Sequence, residues 1–131
     1  MDTLDKLREL TPKLPPVPKM GDYKVEGAHY TEYKIKNGTC LSYNIPGVDG
    51  CSISRTLVTS GGIIEMHDHN EKEFIVILSG TLMIYFNNKQ RTLKRADCIS
   101  FEKNVAHRAI ALEDTWMLGV TIPESKDFPT P

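Results

Sequence analysis

From about Tyr30 onward, apolar and polar residues alternate in stretches of five to eight, each ended by a turn residue. This period of two predicts strands, with successive side chains on opposite faces. Tyr30–Lys36 and Thr39–Tyr43 flank Asn37-Gly38, which reads as a type I′ hairpin. Pro46-Gly47 and Asp49-Gly50 turn the chain into Cys51–Thr59, and Gly61-Gly62 turns it again. Ser79-Gly80 separates Phe74–Leu78 from Thr81–Phe86, and Asn87-Asn88 leads into Lys89–Leu93. Cys98–Phe101, Val105–Leu112 and Thr115–Ile122 complete the set. About ten short strands at this spacing predict an all-β sandwich or barrel.

The first 29 residues read differently. Leu4, Leu7 and Leu10 recur at helical spacing between charges, so Thr3–Leu10 predicts a short amphipathic helix stopped by Pro12. Thr11–Lys19 carries four prolines and predicts an extended strap or a loose tail. The expected organisation is therefore an N-terminal helix and proline-rich arm over 1–29, followed by a β-barrel domain over 30–131.

One segment carries the chemistry. Gly61-Gly62-Ile63-Ile64-Glu65-Met66-His67-Asp68-His69-Asn70-Glu71-Lys72-Glu73 is closed by Gly80. Period two puts His67 and His69 on one face of an extended segment and Asp68 on the other. Glu73 follows a polar turn, at the head of the apolar run Phe74–Leu78. Neighbouring strands can thus aim two neutral nitrogens and one anionic oxygen at a single point, a set that suits a divalent transition metal.

The spacing Gly61-X5-His67-X-His69-X3-Glu73-X6-Gly80 resembles the first motif of the cupin superfamily, without gap or shift. The register matching the second motif, Gly-X5-Pro-X-Gly-X2-His-X3-Asn, runs from Ala96 to Ala111 and keeps only His107. Ala96, Glu102, Asn104 and Ala111 stand at its other fixed positions, and Asn104 can adopt the left-handed backbone of a turn glycine. The resemblance spans roughly residues 50 to 122. It implies a small double-stranded β-helix, or jelly-roll barrel, and four metal ligands: His67, His69, Glu73 and His107. It also implies a homodimer, which covers exposed sheet edges.

Composition narrows the setting. In 131 residues there is room for one domain. Sixteen basic residues balance 17 acidic ones, so no electrostatic footprint for nucleic acid is present. Apolar runs of about five residues are far short of the roughly 20 that span a bilayer. The start, Met1-Asp2-Thr3-Leu4-Asp5-Lys6, lacks the apolar stretch of a secretory signal. Cys40, Cys51 and Cys98 are odd in number and irregularly spaced, which suits reduced thiols in a cytoplasmic protein.

Four protein ligands on an octahedral ion leave two open positions, and mixed N/O ligation suits iron, manganese, nickel, zinc, cobalt or copper alike. By parity, Ile75 and Ile77 share the face of Glu73, and Ala109 that of His107, which predicts a partly apolar cavity. Glu65 shares the parity of His67 and is either a rim residue or a general base. Arg55 is either a surface residue or a carboxylate clamp. Tyr43 and Tyr85 read as packing residues that can also supply phenols, and Cys98 as buried filler. Cupin lyases that cleave dimethylsulfoniopropionate generally carry Tyr two residues after the ligand Glu, where this chain has Ile75. Cupin thiol dioxygenases usually replace that Glu, which is present here as Glu73. The expected function is a metal-dependent enzyme on a small organic substrate, an oxygenase first and an isomerase or decarboxylase second. The alternative is a non-enzymatic module that binds or senses a small molecule.

Overall fold

The computed structural model describes residues 29–124, and these form ten strands. In chain order they are β1 (His29–Ile35), β2 (Gly38–Val48), β3 (Cys51–Val58), β4 (Ile63–His67) and β5 (Lys72–Ser79). Then follow β6 (Thr81–Phe86), β7 (Lys89–Lys94), β8 (Cys98–Phe101), β9 (His107–Ala111) and β10 (Thr115–Ile122). They make a six-stranded sheet in the order β1-β2-β3-β10-β5-β8 and a four-stranded sheet in the order β4-β9-β6-β7. Every pairing is antiparallel. This is the expected jelly-roll barrel. The predicted helix over Thr3–Leu10 and the proline-rich strap over Thr11–Lys19 lie outside the described residues.

The core lies between the two sheets and follows the alternation. Ile75 and Ile77 of β5, Leu82 and Ile84 of β6, Ala109 and Ala111 of β9, and Met117 of β10 are buried together with Val58, Leu93, Ile99 and Phe101. Burying one such large apolar side chain contributes about 1.5–3 kcal/mol. The turns supply the backbone twist that joins these strands. Asp49 (φ 51°) and Gly50 (φ 76°) close β2–β3, and Asn87 (φ 47°) and Asn88 (φ 58°) close β6–β7. Both are two-residue loops with both residues left-handed, as a type I′ hairpin requires.

Two local expectations change. Between β1 and β2 only Asn37 is left-handed (φ 60°), and Gly38 already pairs with Ile35 as the first residue of β2. Gly38 is needed for a close approach instead: a Cβ there would stand 2.7 Å from Thr59 Oγ1 and 2.9 Å from Gly62 Cα. Pro46-Gly47 does not end its strand. β2 runs on to Val48, and the pairing with β3 absorbs the proline as a register shift between Ile45 and Val48.

The six-stranded sheet inverts the usual rule. Along β3 the buried positions are Ser52, Ser54, Thr56 and Val58, while Ile53 and Leu57 stand half-buried on the outer face. In the neighbouring strands Ser42 and Asn44 of β2 and Thr115 and Thr121 of β10 are buried too. The Ser42 and Thr56 hydroxyls lie 3.2 Å apart in hydrogen-bond contact, which lowers the desolvation penalty of both. The barrel interior is therefore apolar on the four-stranded sheet, while the six-stranded sheet sets a hydroxyl-bearing strip from β2, β3 and β10 beside the apolar Ile75, Ile77 and Met117.

Candidate metal centre

β4 and β9 pair with His67 opposite His107, bringing their ring centroids to 4.4 Å. β4 ends at His67, so His69 sits in the loop that follows rather than on the same strand, yet it still turns inward while Asp68 is exposed. Its ring centroid lies 5.7 Å from that of His67 and 5.4 Å from that of His107. Ligand atoms of the three imidazoles all lie within 4.8 Å of one another, a group that can hold a metal ion.

Each ring is held in the tautomer that a metal needs. Nδ1 of His67 donates to the Glu65 carbonyl at 2.8 Å, that of His69 to the Glu71 carbonyl at 3.0 Å, and that of His107 to the Val105 carbonyl at 2.9 Å. A carbonyl only accepts, so Nδ1 carries a proton in each ring, and in the neutral form the lone pair falls on Nε2, where a metal would bind. Phe101 stacks on the His107 ring at 4.2 Å and 2°, and Phe86 meets Phe101 edge-on. The Asn104 N–H donates to the His69 carbonyl at 2.8 Å, which ties the loop before β9 to the loop after β4.

Glu73 lies beside the triad, against two of its three rings. Oε1 is 3.3 Å from His107 Nε2 and Oε2 is 3.5 Å from His69 Nε2, with the side chain only 2 % exposed. Burial by itself pushes its carboxyl up, but hydrogen bonds and charge from His107 and His69 prevail and hold it down at about 2. The hydrogen bond to Glu73 pushes His69 up, against its burial. Burial pushes His67 down, over the opposing bond to the Glu65 carbonyl, and the neighbouring imidazoles add to this. The site thus combines an anion that stays ionised with imidazoles whose Nε2 atoms point to a common centre. That donor set fits a divalent transition metal.

These groups line a cavity of about 60 Å³. Ile64, Ile75, Leu82, Ile84 and Met117 form its apolar lining, together with Ala109. Tyr33, Ser54 and Thr56 line the same space. The expected partly apolar cavity is present, with Ile75 and Ala109 placed as their parity predicts, while Ile77 lies in the core beyond it.

Several candidates lie elsewhere. Glu65 is exposed and pairs with Lys36 at 3.8 Å and Arg108 at 3.9 Å, so it is the rim residue and not a base in the cavity. The β4–β9 register shifts between Ile64 and His67, which lets Ile64 and His67 both face inward and breaks the parity argument for Glu65. Arg55 lies across the outer face of β3, its guanidinium 5.9 Å from the Tyr43 ring and 5.8 Å from the Trp116 ring. It is no clamp for a ligand inside. Tyr43 is thereby an outer-face packing residue, and Tyr85 donates to Met83 Sδ at 2.9 Å beneath Arg108. Cys98 is exposed on β8 rather than buried; Cys40 is the buried thiol, and all three are free. Sequence reasoning missed Tyr33, Ser54, Thr56 and Phe101. For β3 the alternation was visible, but it does not say which phase faces in.

With this geometry in place, comparison with known proteins gives the class. A cupin-domain family model matches residues 55–122, more than half of the chain, and the protein belongs to that family. Its structure is similar to that of KdgF from Halomonas sp. (TM-score 0.66, 16 % identity, 74 % of this chain and 89 % of that one). It is also similar to an RmlC-like cupin from Shewanella frigidimarina (0.67, 13 %, 82 % and 95 %). Ectoine synthase from P. lautus is a further example (0.60, 17 %, 66 % and 65 %). No curated protein matches the chain by sequence. At these identities the likeness concerns the fold. Among the described residues no helix is long and apolar enough to cross a membrane.

Proposed function

We propose that the protein is a metal-dependent cupin enzyme acting on a small organic molecule, with His67, His69, Glu73 and His107 as the ligands of a divalent transition metal. The observation that carries this is the convergence of three Nδ1-anchored imidazoles and a buried, ionised carboxylate in the lining of one cavity. Bound there, the metal supplies Lewis acidity or redox chemistry. Within this reading the activity is of the oxygenase type. The protein's own residues set its conditions. The carbonyls of Glu65, Glu71 and Val105 orient the imidazoles, Phe101 buttresses His107, and the apolar wall excludes bulk water from the reacting groups. Tyr33 holds a proton: burial and the adjacent Cys40 push its phenol up, so it acts as a donor and not as a base.

The same reading takes the barrel domain to begin near residue 30, after the N-terminal arm, and the protein to act in the cytoplasm as a homodimer. The half-buried outer row of Ile53, Leu57, Trp116 and Leu118 is the surface on which a second copy would sit. Light scattering on the purified chain tests that assembly.

Elemental mass spectrometry of protein purified without chelator tests the centre, beside His67→Ala/His69→Ala. Near-stoichiometric iron in the wild type, lost in the variant, supports the oxygenase reading and directs oxygen-uptake screens. Manganese, nickel or zinc moves it to non-oxidative chemistry. No metal after reconstitution at neutral pH overturns it and leaves a binding or sensing module.

A further inference from the structure

The lining of the cavity differs in kind from place to place, and four described cations, Arg55, Lys36, Arg108 and Lys72, are engaged elsewhere. On the hydroxyl-bearing strip, Ser54 and Thr56 project from adjacent inward positions of β3, 2 % and 4 % exposed, and both line the cavity. Tyr33 of β1 joins them. Opposite stand Ile64, Leu82 and Ile84. Among the described residues lining this space none is a lysine or arginine. Arg55 lies over Tyr43 and Trp116 on the outer face, and Lys36 and Arg108 pair with the exposed Glu65. Lys72 pairs with Glu102 at 3.1 Å.

A carboxylate or phosphate needs a charged or multidentate partner once it leaves water, since burying an unpaired anion is strongly unfavourable. A hydroxyl or carbonyl needs only a neutral hydrogen-bond partner, which serine, threonine and a protonated tyrosine provide. Among the described lining residues, positive charge for an anion comes from the proposed metal site, where Glu73 already offsets part of it.

We propose that the cavity takes a small ligand bearing at most one negative charge, whose anionic end meets the imidazole–carboxylate cluster and whose uncharged, oxygen-bearing end is held by Ser54, Thr56 and Tyr33. This rests on the metal-centre reading above and narrows it. It excludes ligands with a second, distal carboxylate or phosphate, and it makes Ser54 and Thr56 specificity residues.

The test uses the full chain loaded with cobalt(II), whose visible absorption reports ligands entering its coordination sphere. Butyrate, 4-hydroxybutyrate and succinate are titrated, since they differ only in the group at the far end. The wild type binds 4-hydroxybutyrate about fivefold more tightly than butyrate, the worth of one net hydrogen bond. It binds succinate at least about tenfold more weakly than butyrate. In Ser54→Ala/Thr56→Val the ratio of 4-hydroxybutyrate to butyrate affinity collapses toward one, while cobalt stoichiometry stays as in the wild type. Because Thr56→Val also removes the contact to Ser42, Ser54→Ala alone is measured as well and lowers the preference in the same direction. Succinate binding as tightly as butyrate, or a hydroxyl preference that survives in both variants, overturns the ligand class. So does stoichiometric cobalt with no response to any probe at millimolar concentration. Failure to take up cobalt at all overturns the metal reading, and this proposal with it.

Discussion

Replacing Glu73 by glutamine keeps the shape of a buried side chain and removes its charge. In metal-free protein the consequence is calculable. The Glu73 carboxyl lies at about 2 in the folded state against an ordinary 4.5, so its ionised form is bound preferentially by the fold. A depressed carboxyl contributes stability above its unfolded value and loses it as pH falls toward the folded one. At 1.36 kcal/mol per unit, the contribution is about 3 kcal/mol at pH 5, about 2 at pH 3.5 and about 1 at pH 2.5. His69 and His107 supply the opposing charge only while they are protonated, so the comparison is confined to acid, and their side of the same interaction is not added again. Urea unfolding of chelator-treated wild type and Glu73→Gln, from pH 5 to pH 2.5, measures the difference directly. The two curves should lie about 3 kcal/mol apart at pH 5 and converge as pH falls. Parallel curves across that range would refute the reasoning, because they would mean that Glu73 titrates alike in both states.

Three further outcomes follow from local geometry. Ala96 holds φ at 73°, a conformation that costs an L-residue about 1–2 kcal/mol, so Ala96→Gly should stabilise the fold by about 1 kcal/mol after the entropy lost to glycine, seen as a raised urea midpoint. A lowered midpoint would show that the strain is absent. Gly80 holds φ at 93°, and a Cβ there would overlap the Asp114 carbonyl oxygen and Thr115, so Gly80→Ala should destabilise by about 3 kcal/mol or more. A change below about 1 kcal/mol in the same unfolding assay would contradict this. Finally, metal uptake should weaken in acid, because the metal must displace the proton that His69 holds against Glu73. Competition titration between pH 5 and pH 8 should show affinity falling as pH drops, and a flat profile would place the metal elsewhere.

The chain by itself determined the architecture and the candidate donor set. Alternation and turn residues specify ten strands, because the period of two survives whatever packs on either face. Asp49-Gly50 and Asn87-Asn88 specify their hairpins, since few residue pairs tolerate two left-handed conformations in succession. The spacing of His67, His69 and Glu73 could also be read, because short-range geometry decides where those side chains point. What only the tertiary structure decided is which face of each strand looks inward, and what meets across the barrel. β3 alternates Ser52-Ser54-Thr56 with Ile53-Arg55-Leu57, and hydrophobicity alone would turn the second set inward; the sheet does the reverse. A shift of register in β4 took Glu65 out to the rim while keeping Ile64 and His67 within, which no parity rule foresees. Tyr33 reaches the cavity from a strand distant in sequence, and Phe101 meets the His107 ring from the preceding strand, which belongs to the other sheet. Local pattern sets the phase of a strand, but only the closing of two sheets on one interior chooses between its faces.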